Sequence, residues 1–509
     1  MEVTWLLVLL LLCVSFLIIK SKAQYQRLPP GPPAVPFFGN LLWLPQTSSN
    51  IESILHDLHT RYGPIISLQM GSRLLIFISD RHLAHSALIT YGATFASRPT
   101  QTAIREILTV NYHTKSSAKY GSLWRLLRRN LAGEFLHPSR VKFFSLARKW
   151  TADLLKEKLS CSEITNDNAI IETFQFAMFS LLVFMCFGKR LDEDYVQEIK
   201  SAERDSLLYN GRKLNVFACM PMVTKHLYRK RWNTALNLRK RLKCLLLPLI
   251  EARRELNEKI REGNSRNENK ILEYCYVDTL LDIRLPDEGG RSLIDDELIA
   301  LCSEFLIAGT DTTSTALQWI MAELVKNQQV QLRLWDEIKL VLSNNNSEDI
   351  GEGMLEKMPY LKAVVLEALR RHPPIHLLLH HTVTEDFTLG GYVIPKEAWV
   401  SIDVANIGMD KEVWDNPTEF KPERFLEGGE GVNVDITGTK EIKMMPFGAG
   451  RRICAGLGIA MLHLEYFVAN LVKEFEWKEI EGEEVDFAEK AEFTVVMKKP
   501  LRAHLVLKK

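Results

Sequence analysis

An apolar segment, a proline-rich connector and a long, mostly helical body follow one another along the chain. Residues 3–19 form an almost unbroken apolar run, and Lys20 and Lys22 follow it. This run is slightly shorter than about 20 residues but within the range of a membrane-spanning helix. The acidic Glu2 and the lack of an A-x-A-like site before Arg27 favour an uncleaved transmembrane anchor over a cleaved signal peptide. With its positive charges on the C-terminal side, this anchor directs the body to the cytosol.

A basic and proline-rich hinge is predicted at residues 20–36, where the sequence L-P-P-G-P-P-A-V-P occurs. Proline lacks a backbone donor and fixes φ, so this stretch is neither a helix nor a central strand. We expect a stiff, extended connector between the anchor and the body. A ligand for an SH3-type domain is the alternative, but one short run directly after an anchor favours the spacer.

Helical periodicity dominates the body, and strand patterns form a minority toward its ends. Residues 51–62 show helical spacing, while 64–70 and 74–78 have the pattern of a hairpin. Longer amphipathic helices are predicted at 142–158, 169–186, 234–262 and 329–342, and late strands at 399–403 and from 493 onward. The mixture predicts an α+β protein that is mainly α-helical. A length of 509 residues suggests about three domains, but no repeat or linker follows Pro36, so we predict one domain over 37–509.

Charge and cysteine usage disfavour several classes of protein. The formal net charge of +1 gives no reason to expect nucleic acid as a partner. The eight cysteines are scattered singly without a C-x-x-C, which argues against a disulfide framework and against a zinc site. Buried, inert thiols are the interpretation that we favour for seven of them. Cys454 alone lies in special surroundings.

Those surroundings are residues 446–456, P-F-G-A-G-R-R-I-C-A-G, directly before an apolar helical pattern. Gly448, Gly450 and Gly456 let the backbone turn tightly and approach a flat cofactor closely. A cysteine just before a helix start has N–H groups and the positive end of the helix dipole nearby, and both favour the thiolate. A haem-bound thiolate pushes electron density onto the iron and favours O–O cleavage. We therefore predict that Cys454 is the thiolate ligand of a haem iron.

A second stretch with candidate chemistry is A-G-T-D-T-T at 308–313, inside a long helical pattern. Gly309 costs about 1 kcal/mol in a helix interior relative to alanine, and threonine hydroxyls compete for backbone carbonyls. One interpretation of this weak point is a mere kink. The other is a groove for a small ligand, where Asp311 and Thr312 pass the protons that oxygen activation requires.

A structural cluster is predicted from two separate motifs. Glu367 and Arg370 lie three apart on a helix that prolines end, so they share one face. By itself E-x-x-R is common, and a solvated surface pair is the alternative. The later sequence P-E-R-F contains Arg424, which completes a buried carboxylate–guanidinium cluster. We interpret all three residues as structural rather than catalytic.

A basic helical pattern precedes these motifs. Trp124 and Arg128 are one helical turn apart, and Arg125 and Arg129 lie on the neighbouring face. Such a face is usually solvated. If haem is present, its two propionates need cationic partners, and Arg128 and Arg452 are candidates, with Trp124 donating its indole N–H. Arg125 and Arg129 then stay outside for an acidic partner.

Together these motifs resemble a cytochrome P-450 monooxygenase of the plant microsomal type, from the anchor to the last strand. The haem loop of that family, F-x-x-G-x-R-x-C-x-G, matches at Phe447, Gly450, Arg452, Cys454 and Gly456. The sequence is most similar to family 89, subfamily A. The other matches are its oxygen-binding helix at 308–313, its E-x-x-R at Glu367 and Arg370 with Arg424 as third member, and its W-x-x-x-R at Trp124 and Arg128. His381 departs from the family, because many relatives have a propionate-binding arginine there.

The resemblance implies one mainly helical domain that holds haem b (iron protoporphyrin IX). The cofactor-binding residues that it implies are Trp124, Arg128, Ala308, Gly309, His381, Pro446, Phe447, Gly448, Arg452, Cys454 and Gly456. It further implies electrons from NADPH through a membrane-bound reductase, and a body that faces the cytosol from the endoplasmic reticulum membrane. One atom of O₂ enters a hydrophobic small molecule, expected to be a plant secondary metabolite, and the other becomes water. In this scheme Thr312 stabilises the activated oxygen and Asp311 relays protons.

Two other functions remain as alternatives. A haem-thiolate isomerase or dehydratase acts on peroxides without O₂ or a reductase, but relatives of that kind generally alter the helix groove, and Asp311 and Thr312 are intact here. A non-catalytic haem-binding membrane protein has no need of that proton-relay pair. The pocket segments that the resemblance implies are mostly apolar, which favours a hydrophobic substrate without naming one. Partners are therefore expected to be the reductase, the substrate and membrane lipid, and not nucleic acid.

Overall fold

The computed structural model describes residues 28–35, 39–40, 51–71, 73–100, 102–161, 168–218, 221–262 and 274–508. Helices account for most of them, and the strands form small sheets. The predicted anchor at 3–19 and the hinge up to residue 27 lie outside the described residues. The chain divides into two compact units: the smaller has the described residues up to Pro99 with Leu377–Asp403, and the larger has Thr100–His376 with Val404–Lys509. The single domain predicted over 37–509 stays a prediction.

The elements are labelled in chain order. The α-helices are α1 (Ile51–Tyr62), α2 (Arg81–His85), α3 (Ala103–Leu108), α4 (Ser122–Arg129), α5 (Pro138–Val141), α6 (Ser145–Cys161), α7 (Ala169–Phe187), α8 (Glu193–Lys213), α9 (Pro221–Leu227), α10 (Arg229–Arg261), α11 (Tyr276–Leu281), α12 (Asp295–Lys326), α13 (Gln328–Asn344), α14 (Pro359–Arg371), α15 (Val404–Gly408) and α16 (Leu457–Glu474). The strands are β1 (Ile65–Met70), β2 (Arg73–Ile78), β3 (Arg284–Leu285), β4 (Arg291–Ser292), β5 (His381–Thr382), β6 (Phe387–Leu389), β7 (Tyr392–Ile394), β8 (Trp399–Ile402), β9 (Phe475–Lys478), β10 (Glu489–Ala491), β11 (Val495–Met497) and β12 (His504–Leu507).

A four-stranded sheet with the order β1-β2-β8-β5 organises the smaller unit. The predicted hairpin is confirmed, because β1 and β2 pair antiparallel with Met70 opposite Arg73. β8 joins β2 in parallel, and β5 pairs antiparallel with β8. The described part of the proline-rich stretch lies against β1: Ser67 donates from its backbone N–H to the Pro30 carbonyl at 2.9 Å and from its hydroxyl to the Pro29 carbonyl at 2.7 Å.

The core of the larger unit forms where long helices pack on one another. α7 and α12 run side by side, and α16 packs against α12 as well. Among the described residues, α7 is the one helix that is long and apolar enough to cross a membrane, with a mean hydropathy of 1.9. Its most apolar window is 83% buried inside the protein. Burial on nearly every side from Phe174 onward explains its largely apolar sequence.

The helix α12 runs without a break through residues 308–313, where the sequence indicated a weak point. The threonine hydroxyls there bond within the helix: Thr310 donates to the Leu306 carbonyl and Thr312 to the Ala308 carbonyl, both at 2.7 Å. Gly309 has a packing reason, since a Cβ at this position would lie 2.7 Å from Cδ1 of Leu182 on α7. The glycine therefore permits close approach of the two central helices.

Candidate active site

The cysteine loop, residues 446–456, turns tightly and ends at the start of α16. Gly448 and Gly450 have φ angles of 70° and 69°, a left-handed conformation that favours glycine. The backbone N–H of Cys454 donates to the Phe447 carbonyl at 2.9 Å, which closes the loop. Cys454 itself is an exposed free cysteine. The loop thus holds its backbone fixed while the thiol stays accessible.

A stacked arginine lies beside this loop. The guanidinium carbon of Arg452 is 4.6 Å from the ring centroid of Trp124, which is 6% exposed. Arg452 also donates to the backbone carbonyls of Lys115 at 3.1 Å and Ala118 at 2.7 Å. Stacking and these two hydrogen bonds hold a planar cation at one place next to the cysteine loop. A guanidinium fixed in this way is suited to bind a carboxylate.

A second cation comes from α4. Arg128 donates from Nη1 to the carbonyl of Ile453 at 2.6 Å, directly before Cys454. Burial lowers the pKa of Arg128, and the neighbouring Cys454 thiol raises it, so the two groups lie close together. A guanidinium nevertheless stays protonated in proteins. Arg128 therefore places a permanent positive charge beside Cys454.

The small residues of α12 open a surface in the middle of a buried helix. Ala308 is exposed, whereas every residue from 313 to 325 is buried. The Thr312 hydroxyl donates its proton to the Ala308 carbonyl at 2.7 Å. Its oxygen lone pairs can still accept a hydrogen bond. Thr312 is therefore held in one orientation next to an accessible stretch of helix.

Asp311 lies next to Thr312 and is largely removed from water. Its side chain is 13% exposed, and Oδ2 lies 3.5 Å from Nη1 of Arg204 on α8. Burial raises the pKa of Asp311, and the Arg204 charge lowers it by less. A carboxyl that holds its proton more firmly than a free aspartate is apt for proton transfer near neutral pH.

These residues fit a haem. The donor set is one accessible thiol with two fixed guanidinium groups, which matches an iron that needs a thiolate and a porphyrin that carries two carboxylates. A Cβ on Gly456 would lie 3.9 Å from Sγ of Cys454, so glycine keeps the space around the sulfur open. Ala308 is exposed on α12, and α12 packs against the helix that follows Cys454.

Comparison with known proteins decides the family. The sequence profile described as Cytochrome P450 matches residues 29–506. The chain belongs to the cytochrome P450 family. It is 44% identical to Cytochrome P450 89A9 of Arabidopsis thaliana over 99% of both chains. The resemblance to plant family 89 is confirmed.

Other relatives give this cytochrome P450 its class of reaction and its fold. It is 29% identical to Flavonoid 3'-monooxygenase of Arabidopsis thaliana over 98% of this chain and 97% of that protein. Isoflavone 3'-hydroxylase of Medicago truncatula is 31% identical over 97% and 95%. The chain is an oxidoreductase of the monooxygenase class. A retinoic acid-bound cyanobacterial CYP120A1 superposes with a TM-score of 0.74 at 20% identity, covering 95% of this chain and 99% of that one. The mainly helical cytochrome P450 fold with small sheets is confirmed.

Three residues predicted as structural lie together in this cytochrome P450, in what we name the guanidinium cluster: Glu367, Arg370 and Arg424. All three side chains are fully buried. Arg370 donates to both carboxylate oxygens of Glu367, at 2.7 and 2.8 Å, and Arg424 donates to Oε1 at 3.2 Å. Arg370 also binds the carbonyls of Gly408 and Pro417, both at 2.8 Å. The cluster thus ties α14 to the segments after it.

His381 lies in β5 of the smaller unit. It is 4% exposed, and its Nδ1 is 2.7 Å from the Phe95 carbonyl. This contact fixes the ring within the unit's own backbone. Its predicted contact with a cofactor stays a prediction.

Sequence analysis missed the residues around Asp311. Arg204 contacts Asp311 and also donates to Glu492 at 3.0 Å, and Ser303 donates to the buried Glu203 at 2.7 Å. Only tertiary structure brings these residues of α8 and α12 together. One signal was available: Glu203 falls on the same helical face as the buried Ile199, and a glutamate on an apolar face is rarely there without a partner.

Proposed function

We propose that this cytochrome P450 inserts one oxygen atom of O₂ into a hydrophobic secondary metabolite, with electrons from NADPH delivered through a reductase. Cys454 serves as the thiolate ligand of haem b. The observation that carries the proposal is the exposed Cys454 thiol at the head of α16, beside the Arg128 guanidinium. The helix start and the permanent cation both place positive charge near the sulfur, where an iron-bound thiolate would carry negative charge.

The chain's own residues bind and orient the cofactor. Haem, when bound, supplies the oxygen chemistry that divides O₂ between the product and water. Arg128 and Arg452 bind its two carboxylates, and Trp124 holds Arg452 in place by stacking. The loop residues Pro446, Phe447, Gly448 and Gly456 let the backbone approach closely, and Ala308 leaves room on α12. Gly309 contacts the cofactor in the same proposal, and its lack of a Cβ also avoids Leu182 on α7.

Proton delivery falls to two neighbouring residues. Burial raises the pKa of Asp311, which suits its carboxyl to take up and hand on protons. Thr312 donates its hydroxyl proton to the Ala308 carbonyl, so its oxygen is oriented to accept a hydrogen bond from the other side. Both side chains lie next to the exposed surface at Ala308. This arrangement supplies protons at one place.

Membrane attachment belongs to the same proposal. The anchor at 3–19, followed by lysines, holds the protein in the endoplasmic reticulum membrane with its body in the cytosol, where a membrane-bound reductase reaches the Cys454 side. Asn345-Asn346-Ser347 matches the N-x-S signal for N-glycosylation, and in this topology it stays unmodified. The Asn345 side chain donates to the Val341 carbonyl at 2.6 Å, at the end of α13. Glycan found on Asn345 by mass spectrometry would contradict this orientation.

A carbon monoxide adduct tests the ligand. The reduced protein with carbon monoxide should absorb at the long wavelength typical of thiolate ligation, and Cys454→Ser should lose that band. The exposed Cys244→Ser is the matched control, since Cys244 is a free cysteine on α10. A retained band in Cys454→Ser would show that another residue binds the iron.

The isomerase alternative differs in its need for electrons. Monooxygenation consumes NADPH only when reductase and substrate are both present, whereas rearrangement of a peroxide consumes none. The largely buried Asp311 with its raised pKa favours the monooxygenase. Substrate screening should begin with flat aromatic compounds, because two relatives are named for flavonoid and isoflavone oxidation. Ligand-induced shifts of the haem spectrum provide the measurement.

A further inference from the structure

A small cavity next to Asp311 has no part in the function proposed so far. It has a volume of about 20 Å³ and is lined by residues of α7, α8 and α12. Its charged lining residues are Lys200, Glu203 and Arg204 from α8 and Asp311 from α12. We name it the acid cavity. Its volume exceeds the roughly 10–15 Å³ that one water molecule needs, and its lining is polar enough to hold one.

Glu203 is only half satisfied by the protein. The residue is 2% exposed, and its Oε2 accepts a hydrogen bond from the Ser303 hydroxyl at 2.7 Å. Its Oε1 is buried, and no described residue donates to it. A buried acceptor without a donor destabilises the fold. A water molecule in the acid cavity, or a proton on the carboxyl itself, removes that penalty.

We propose that Glu203 supplies protons to Asp311 through one water molecule bound in the acid cavity. The inference rests on the proposed function, in which Asp311 delivers protons. Glu203 acts through Asp311 and is therefore a positioning residue. Neutral Glu203 gives its carboxyl proton to the water, and the water gives one of its own protons to the Asp311 carboxylate.

The transfer leaves Glu203 charged and Asp311 neutral. Bulk water then returns a proton to Glu203 on the side lined by Lys200 and Arg204, where the Arg204 side chain is 34% exposed. No electrons move. The net result is one proton carried from solvent to Asp311.

The electrostatics around Glu203 suit a proton donor. Its pKa is raised to about 7, chiefly by burial and to a smaller extent by the Asp311 charge, while the Ser303 hydrogen bond opposes the rise. The thiol of Cys186 on α7 also faces this region, and burial keeps it neutral by raising its pKa. Lys200 and Arg204 supply positive charge at the mouth of the cavity. A donor whose pKa lies near the working pH is both protonated and ready to release its proton.

Three variants of the full chain test the relay. Glu203→Gln keeps the size and an oxygen acceptor but removes the titrating proton. Ser303→Ala keeps that proton but removes a hydrogen bond that stabilises the charged carboxylate, so Glu203 should titrate at higher pH. Glu198→Gln, an exposed glutamate on the same helix, is the matched control.

Two measurements are made on each variant. The first is the intensity of the infrared carboxyl band across about pH 6 to 8. It reports protonation without catalysis, so it still tests Glu203 if the proposed function is wrong. The second is the pH profile of product formed per NADPH consumed. The carbon monoxide adduct confirms that each variant holds haem.

We expect a titrating carboxyl band near pH 7 in the unchanged protein, to which Glu203 and Glu465 both contribute. The band should be weaker in Glu203→Gln, where the Glu465 contribution remains, and the Glu203 contribution should shift to higher pH in Ser303→Ala. The inflection in the pH profile should follow the band in every variant, and Glu198→Gln should match the unchanged protein. The loss of coupled product in Glu203→Gln should be smaller than the roughly 100-fold that a general acid itself supplies. A band of unchanged intensity in Glu203→Gln, or an unchanged pH profile in that variant, would overturn the proposal.

Discussion

Two groups of buried carboxyls in the larger unit differ in how fully their oxygens are paired. In the guanidinium cluster, Glu367 accepts hydrogen bonds on both oxygens from Arg370 and Arg424. In the acid cavity, one oxygen of Glu203 meets Ser303 and the other meets no described donor. Both glutamates are almost completely buried. Pairing rather than burial therefore decides whether a carboxyl is a fixed charge or a group that exchanges its proton.

The largest effect is expected from removing Glu367, the fully paired carboxylate of the guanidinium cluster. Glu367→Ala leaves two buried guanidinium groups without their carboxylate, which typically costs about 3–5 kcal/mol. The urea concentration at which half of the carbon monoxide adduct is lost should fall sharply. Glu419→Ala, at an exposed glutamate in the same region of the chain, should leave it unchanged. Equal midpoints for the two variants would mean that the cluster does not support the site.

A pH-dependent effect of about 3 kcal/mol is expected from Glu203, whose pKa is raised from 4.5 to about 7 by burial. The folded protein keeps this proton to higher pH than the unfolded chain does. Stability is therefore full below about pH 4.5, falls as the pH rises, and levels off above about pH 7. Glu203→Gln should not show this fall in stability with pH.

The measurement is the urea midpoint of both proteins across that pH range. As the pH rises, the urea midpoint of Glu203→Gln should increase relative to that of the unchanged protein. Above neutral pH, the two curves of midpoint against pH should run parallel. Glu465 titrates in the same window, because burial raises its pKa to about 7, but it is present in both proteins and cancels in the comparison. Curves that stay parallel from acid to neutral pH would show that Glu203 titrates alike in both states.

A loss of about 100-fold in coupled product, near 2.7 kcal/mol of barrier, is expected for Asp311→Asn, since general acids supply at least that much. Asparagine keeps the shape but holds no transferable proton. The measurement is product formed per NADPH consumed with reductase present. Asp295→Asn, at a half-exposed aspartate in the first turn of the same helix, is the control. A small loss in Asp311→Asn would remove Asp311 from proton delivery.

The same contrast separates what the sequence predicts from what it misses. The cysteine loop and the hairpin are contiguous, so their glycines and alternating residues carry the whole signal. The acid cavity joins α8 to α12, and no local pattern connects Glu203 with Asp311. Gly309 was interpreted through its cost to the helix, whereas its reason is Leu182 on α7. The periodicity of the sequence carries no information about packing partners that lie far away in the chain.

The smallest effect is expected from Arg204, which lines the acid cavity but is partly exposed to water. Arg204 lies 3.5 Å from Asp311, and its side chain is 34% exposed, so this ion pair should be worth only about 0.2–1 kcal/mol. Burial raises the pKa of Asp311, and the Arg204 charge lowers it.

Arg204→Gln should therefore move the pH profile of coupled product to higher pH. Glu492 strengthens the shift, because it binds Arg204 at 3.0 Å and its own charge raises the pKa of Asp311. Arg241→Gln removes an exposed arginine that pairs with Asp205 at 3.1 Å, and it should leave the profile in place. A shift to lower pH in Arg204→Gln would mean that the Arg204 charge acts on a group other than Asp311. Glu203 and Asp311 would then not set the pH profile together.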